Sequence, residues 1–508
     1  MHLAILRVVI AGILALMLLR LGAVADAATL RVGTTTMPPS QGNPYRNTGT
    51  PHIFTWSSIF DGLTRIDETG QLRPWLAVGW ENLDPLTWRL TLRPGVTFSN
   101  GERLTSAAVV NAAAFFNSPA AAREVVAREL GFIKSARIVD ELTVDLITDV
   151  PTPHLPRALP VFYMVAPDHW TKLGPDEFAR APVGTGPFKI DRLDVAGWKM
   201  SAFAGSWRAP KTERLDWIVA PDASARVQAV LADRMDIALG LGPDEVAAIE
   251  ANGGQGQHWL TANVWSIQFH QNQDSPLRDV RVREALNLAV DRDALVNGLL
   301  AGTTVAASQP GTRATFGFDP SIPPIPFDPH RAKQLLTEAG YPKGFSFVLQ
   351  GVIGAGPADA AMFQKIAQDL AAIGVTMEIR PFPPNELIRA VVEGGWNGDA
   401  FGLTYASEPT IDVLRTMQNH SCLWSKPWYC DQRIMPAIRA ALTEFDAAKG
   451  LSLRHDIMRF YRDEYAALFL YELPRFAGLR AGVSGFKEVH GFISFETIAV
   501  DGTGKSNR

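Results

Sequence analysis

Between Phe345 and Ile379 the chain reads strand, helix, strand, and this constrains its fold more than any other stretch. Phe345-Ser346-Phe347-Val348-Leu349 and Val375-Thr376-Met377-Glu378-Ile379 are rich in β-branched and aromatic residues, as strands are. The helical pattern between them, Ala358 to Ala372, is long enough to cross a sheet and return the second strand parallel to the first. Two helices precede this unit. Val282, Ala285, Leu286, Ala289 and Val290 recur at helical spacing. A second helix is punctuated by Asp328 as cap, Pro329 in the first turn, and Gly340 with Pro342 as stop, and Leu335, Leu336 and Ala339 form its apolar face. The second half is therefore expected to be an α/β lobe.

The first half has a different character. Thr29-Leu30-Arg31-Val32-Gly33 reads as a strand that breaks at Met37-Pro38-Pro39. From Leu86 to Leu92 apolar and polar residues alternate, as expected of a half-buried strand ending at Arg93-Pro94-Gly95. Arg137-Ile138-Val139 and Leu142 to Ile147 flank Asp140-Glu141 as a hairpin, and one helix is expected from Ser106 to Phe116. At 508 residues the chain is too long for one compact domain. A net charge of −4 gives no case for a nucleic-acid partner, which needs a concentrated basic surface.

The first 27 residues are expected to be a cleaved signal peptide. Arg7 precedes an apolar core from Val8 to Leu19, too short for a membrane span, and Ala25-Asp26-Ala27 has the form a signal peptidase reads. An uncleaved N-terminal anchor is the alternative. No later apolar run reaches about 18 residues. The two cysteines, Cys422 and Cys430, lie far from the cleavage site, which argues against a lipid anchor. In an oxidising compartment they are expected to form a disulfide, the alternative being two reduced thiols.

A search for catalytic constellations finds none of the common ones. There is no G-x-S-x-G elbow and no H-E-x-x-H motif. The histidines are scattered, and each reads as a packing or surface residue. Gly184-Thr185-Gly186 has Lys189 where a dinucleotide loop needs glycine, and Gly502 to Ser506 has Ala499 where a phosphate loop needs its first glycine.

Other motifs stand out in order along the chain. They are Ile59-Phe60-Asp61-Gly62-Leu63-Thr64, Pro74 to Trp80, Trp88 to Glu102, Pro182-Val183-Gly184-Thr185-Gly186-Pro187-Phe188, Asp279 to Arg292, and Asp328 to Pro342. In this order they resemble the extracellular solute-binding family 5, which serves peptide, nickel and opine importers, with Asn100 in place of a usual aspartate. The resemblance implies an α/β, two-lobe periplasmic-binding-protein-like fold of type II, in its large form. Lobe one would span 28–265 and 477–508 with an inserted subdomain near 56–175, and lobe two would span 266–476. Ile267 to Asn272 resembles the family's first crossing between lobes.

The same resemblance implies a periplasmic component of an ABC importer that captures a small solute and passes it to an inner-membrane permease. A monomer is expected, with no cofactor and no metal. The ligand would lie between the end of the first strand, at Thr35, Thr36 and Met37, and a second-lobe segment, Phe401, Gly402, Leu403, Thr404 and Tyr405. Peptide-binding relatives place an aspartate for the ligand's amino terminus where Tyr405 stands, and a phenol cannot supply that charge-assisted bond. The expected ligand is therefore a peptide, a modified peptide or an opine-like conjugate, with the weight on the last two. Trp424, Trp428 and Tyr429 are expected to pack beneath a loop rather than wall the pocket. A periplasmic hydrolase and a ligand-presenting sensor are the competing readings.

Overall fold

A computed structural model describes residues 28–47, 49–353 and 356–501; the expected signal peptide with its cleavage site, and Gly502 to Ser506, lie outside the described residues. β1 (Thr29–Thr34) is followed by a four-stranded antiparallel sheet made of β2 (Ala77–Asp84), β3 (Thr87–Leu92), β4 (Ile133–Ile138) and β5 (Thr143–Thr148), in the order β2-β3-β5-β4. Next come β6 (Phe188–Asp194), β7 (Gly197–Ala202), β8 (Arg214–Val219), β9 (Ile237–Leu239) and the long β10 (Gln255–Phe269). The second half supplies β11 (Phe345–Gly351), β12 (Val375–Pro381), β13 (Ala400–Ala406) and the long β14 (Ala467–Leu479). With β1 these form one ten-stranded sheet, in the order β12-β11-β13-β10-β14-β9-β1-β8-β7-β6.

Local chemistry explains the elements that position the site. β11 and β12 pair in parallel, from Phe345 opposite Val375 to Gly351 opposite Pro381. Six helices matter below: α1 (Ser106–Phe116), α2 (Ala223–Leu231), α3 (Pro243–Glu250), α4 (Val280–Ala289), α5 (Pro329–Glu338) and the crossover α6 (Asp359–Ala371). α6 buries Met362, Phe363, Ile366 and Leu370, one stripe at helical period. Asp279 and Asp328 cap α4 and α5 by accepting the amides of Arg281 and Arg331. In β3 the alternation holds from Trp88 onward, with Leu90 and Leu92 fully buried, whereas Leu86 sits in the preceding turn and is exposed.

The molecule has two lobes, joined where β10 and β14 run antiparallel through the middle of the sheet. Gln255 to Leu260 pairs with Leu479 to Pro474; the register then slips and resumes at Val264 opposite Glu472. At the slip the Thr261 hydroxyl donates to the Leu473 carbonyl at 2.8 Å. The hydrophobic core changes over at the same place. One core draws on residues from Leu30 to Leu239 and again from Ala477 onward, the other on Val264 to Leu473. The crossing thus begins upstream of Ile267–Asn272: that stretch holds only the end of β10 and the turn after it. Sequence pattern marked the turn more clearly than the bulge, because a register slip leaves no signature in side-chain alternation.

Candidate functional site

Beside the crossover lies a cleft of about 410 Å³ with walls from both lobes. The first lobe contributes Thr35, just past β1, and Asp222 and Arg226 at the start of α2; the second contributes Ile353, Gly356 and Ala358 on the approach to α6. Leu473 to Phe476 of β14 runs along it, so the cleft spans the joint between the lobes.

Two arginines line it, and each is held in place. Arg226 is 1% exposed and donates to the carbonyls of Ala220, Pro221 and Gly240, the last two at 2.9 and 2.7 Å. It ties the end of β8 to the end of β9, and burial lowers its pKa against the opposing pull of Asp222 and Glu245. Asp222 in turn caps α2 through the Ala225 amide at 2.8 Å. Arg475, on β14, bonds the Glu408 carboxylate of the second lobe, Glu488 at 3.1 Å and the Thr50 hydroxyl at 3.1 Å.

Around Arg475 sits a buried charge cluster. Glu408 also accepts from Asn263 at 3.0 Å, and His490 lies 3.7 Å from it while its other ring nitrogen meets the Asp67 carbonyl at 2.9 Å. Burial alone would raise the Glu408 pKa, but Arg475 and His490 hold it down at about 2. Burial alone would lower that of His490, yet the Glu408 carboxylate and the Asp67 carbonyl raise it. Burial raises the carboxyl of Glu488, with the Arg475 charge opposing. Such a cluster is organised around charge that no bulk water supports.

Residues 71–419 match the family described as bacterial extracellular solute-binding proteins, family 5, middle region. The chain belongs to that family. It is 29% identical over 347 residues to the glutathione-binding protein GsiB of Salmonella typhimurium, a match that spans 66% of this chain and 66% of that relative's length. Among solved structures, a dipeptide-binding protein from Pseudoalteromonas sp. SM9913 in complex with Met-Leu superposes with a TM-score of 0.82 at 20% identity, covering 93% of this chain and 100% of that one. The binding protein AgaA from A. tumefaciens R10, in complex with agropinic acid, gives 0.79 at 22% identity, covering 93% and 99%.

Within this family fold the expected site residues fall in different surroundings. Thr35 lines the cleft; Thr36 is exposed and its hydroxyl donates to the Met37 carbonyl at 3.1 Å; Met37 is buried in the first core. β13 pairs with β10 along its whole length but with β11 only at Ala400 and Phe401, so from Gly402 onward no strand among the described residues pairs with its outer edge. None of Phe401, Gly402, Leu403, Thr404 and Tyr405 lines the 410 Å³ cleft. Phe401 stacks on Trp396 with 3.9 Å between centroids, and Tyr405 is fully buried against His420. The Leu403 carbonyl accepts from Ser266 at 2.6 Å.

Cys422 and Cys430 are bonded to each other. Trp428 and Tyr429 are buried in the second core, and the Trp424 indole donates to the Val391 carbonyl at 2.7 Å. Among the described residues no group of three or more His, Cys, Asp or Glu could hold a metal ion. None of their helices is long and apolar enough to cross a membrane.

Sequence reasoning missed Arg226, Arg475 and the Glu408–His490 contact. A signal existed for the first two: Arg226 interrupts the buried stripe of α2, and Arg475 interrupts the almost continuously buried strand β14. A charge inside a buried run calls for a specific partner. Arg475 has two acidic partners, Glu408 and Glu488, one from each lobe, and spacing along the chain cannot reveal them.

Proposed function

We propose that this protein is the exported, periplasmic binding component of an ABC importer. It captures a small solute between its lobes, hands it to an inner-membrane permease and releases it chemically unchanged. The observation that carries the reading is the cleft of about 410 Å³ at the crossing strands, walled by both lobes. A ligand there favours lobe closure only through contacts it lacks in an open form, and a two-walled cleft supplies them.

The ligand class we favour is a modified peptide or opine-like conjugate. The relatives' ligands, glutathione, Met-Leu and agropinic acid, are compact amino-acid derivatives, and the cleft suits that size. Thr35 would meet the ligand in the cleft wall. Gly402, Leu403 and Thr404 of β13, which lie outside the cleft, would reach the ligand only as the lobes close on it, while Phe401 and Tyr405 brace that strand from behind. The lobe limits we adopt, 28–265 with 477–508 and 266–476, are supported by the change of core near Leu260 and Pro474. Signal cleavage after Ala27, freedom from a lipid anchor and a monomeric state belong to the same proposal. Native mass spectrometry of the purified protein tests it: a retained mass matching an amino-acid conjugate is expected, and a tightly held ordinary peptide with a free amino terminus would overturn the ligand class.

A further inference from the structure

The turn from Ser407 to Asp412 leaves β13 in the second lobe and reaches across into the first. Three contacts seat it. Ile411 is fully buried with Ile66 and the crossover residue Ala262, and Leu72 packs against them. Arg157, on the first lobe, donates to the Thr410 carbonyl at 3.2 Å and the Ile411 carbonyl at 3.1 Å while also holding the Gly70 carbonyl of its own lobe at 3.2 Å. Glu408 reaches Arg475 at the crossover. Arg415 adds an ion pair to Glu129 of the first lobe at 2.8 Å. A gap of only about 30 Å³ remains between Arg157, Asp412 and Arg415, room for about one water molecule.

Ile411 has a φ of +54°, a left-handed conformation that is costly for a β-branched side chain. Such a conformation persists only where its surroundings fix it. The second lobe holds it through the Ile411 amide on the Ser407 carbonyl at 2.8 Å and the Phe316 amide on the Ile411 carbonyl at 3.0 Å, and the first lobe adds the apolar socket and the guanidinium fork. The fork geometry matters, because planar paired donors can serve two successive carbonyls at once, and a lysine ammonium has no such arrangement.

We propose that Arg157 is a positioning residue for ligand capture: by capping the Thr410 and Ile411 carbonyls it latches the second lobe onto the first and sets the distance across the cleft. The latch continues directly from β13, whose last carbonyl, that of Ala406, accepts from Arg415 at 2.8 Å. This rests on the two-lobe capture proposed above. Its test uses ligand-free protein, so it stands or falls whether or not any particular solute binds.

Nitroxide labels on Glu81→Cys and Lys333→Cys, both exposed and one on each lobe, report the interlobe distance by pulsed electron spin resonance, since the native cysteines are bonded to each other. Ligand-free wild-type protein is expected to show a populated short distance. Arg157→Ala and Ile411→Ala, which break the latch from opposite lobes, should each lower that population about 3-fold or more, and Arg157→Lys should not restore it. The double variant should fall no further than the stronger single one, as expected of residues that act as a unit. If Arg157→Ala does not fold, Ile411→Ala alone decides. A single long distance in the wild type, unchanged distributions in the variants, or independent effects in the double variant would overturn the proposal.

Discussion

The ring of Tyr405 lies stacked on the imidazole of His420, with 4.0 Å between centroids and 24° between planes. His420 is buried; burial pushes its pKa down to about 3, the Thr404 carbonyl opposing, so the ring is neutral at ordinary pH. Phe469 and Tyr461 close around the same tyrosine. Where peptide-binding relatives are expected to hold a carboxylate, this chain has a block of aromatic core.

This makes the tyrosine a packing residue first. Tyr405→Ala should cost about 3–5 kcal/mol of unfolding free energy, the range for emptying a buried aromatic site. Tyr405→Phe should cost less than about 1.5 kcal/mol. Urea unfolding followed by tryptophan fluorescence measures both, and equal costs would show that the hydroxyl rather than the ring matters.

The contact between Glu408 and His490 predicts a pH signature. The raised pKa of His490 means that its stabilising contribution is complete below about pH 6.5, its unfolded value, and is lost as pH rises through the folded value. Glu408, held at about 2, contributes fully above its unfolded value near 4.5 and loses that contribution as pH falls toward 2. The stability difference between wild type and His490→Gln should therefore be flat from about pH 5 to 6.5 and shrink above it. A difference that grows with alkaline pH would contradict the assignment.

Arg226 serves three main-chain carbonyls at the cleft wall and is almost fully buried. Arg226→Ala strands those acceptors and should destabilise the protein by about 3 kcal/mol, with Arg226→Lys recovering only part, because an ammonium cannot reproduce the fork. Thermal unfolding by circular dichroism gives the ranking; full recovery by lysine would argue for charge alone.

The Cys422–Cys430 bond closes a short loop beside the buried Trp428. Replacing both cysteines with serine should cost about 2–3 kcal/mol in the chain-entropy view. Reduction should also perturb tryptophan emission. If reduced and oxidised protein share one urea midpoint, the loop is held by its packing instead.

Much of the fold was legible in the sequence because periodic burial writes itself into residue order. The limits of α1, the apolar period of α4, the cap of α5, and the parallel pair β11 and β12 all follow local rules of period, cap and turn. The site was legible only in part. Thr35, named through the family resemblance, lies in the wall of the cleft. Arg475 and Glu408 were not legible, since the fold brings them together from positions 67 residues apart. The bulge between Leu260 and Val264 left no sign in the sequence, because it changes pairing without changing composition.

Calorimetric titration with glutathione and with agropinic acid, paired with small-angle scattering and recovery of the solute, tests the central account most directly. The account predicts that at least one such conjugate binds with one-to-one stoichiometry, compacts the protein and is recovered intact. Cleavage of the bound solute, or binding with no change in the dimensions of the protein, would contradict it.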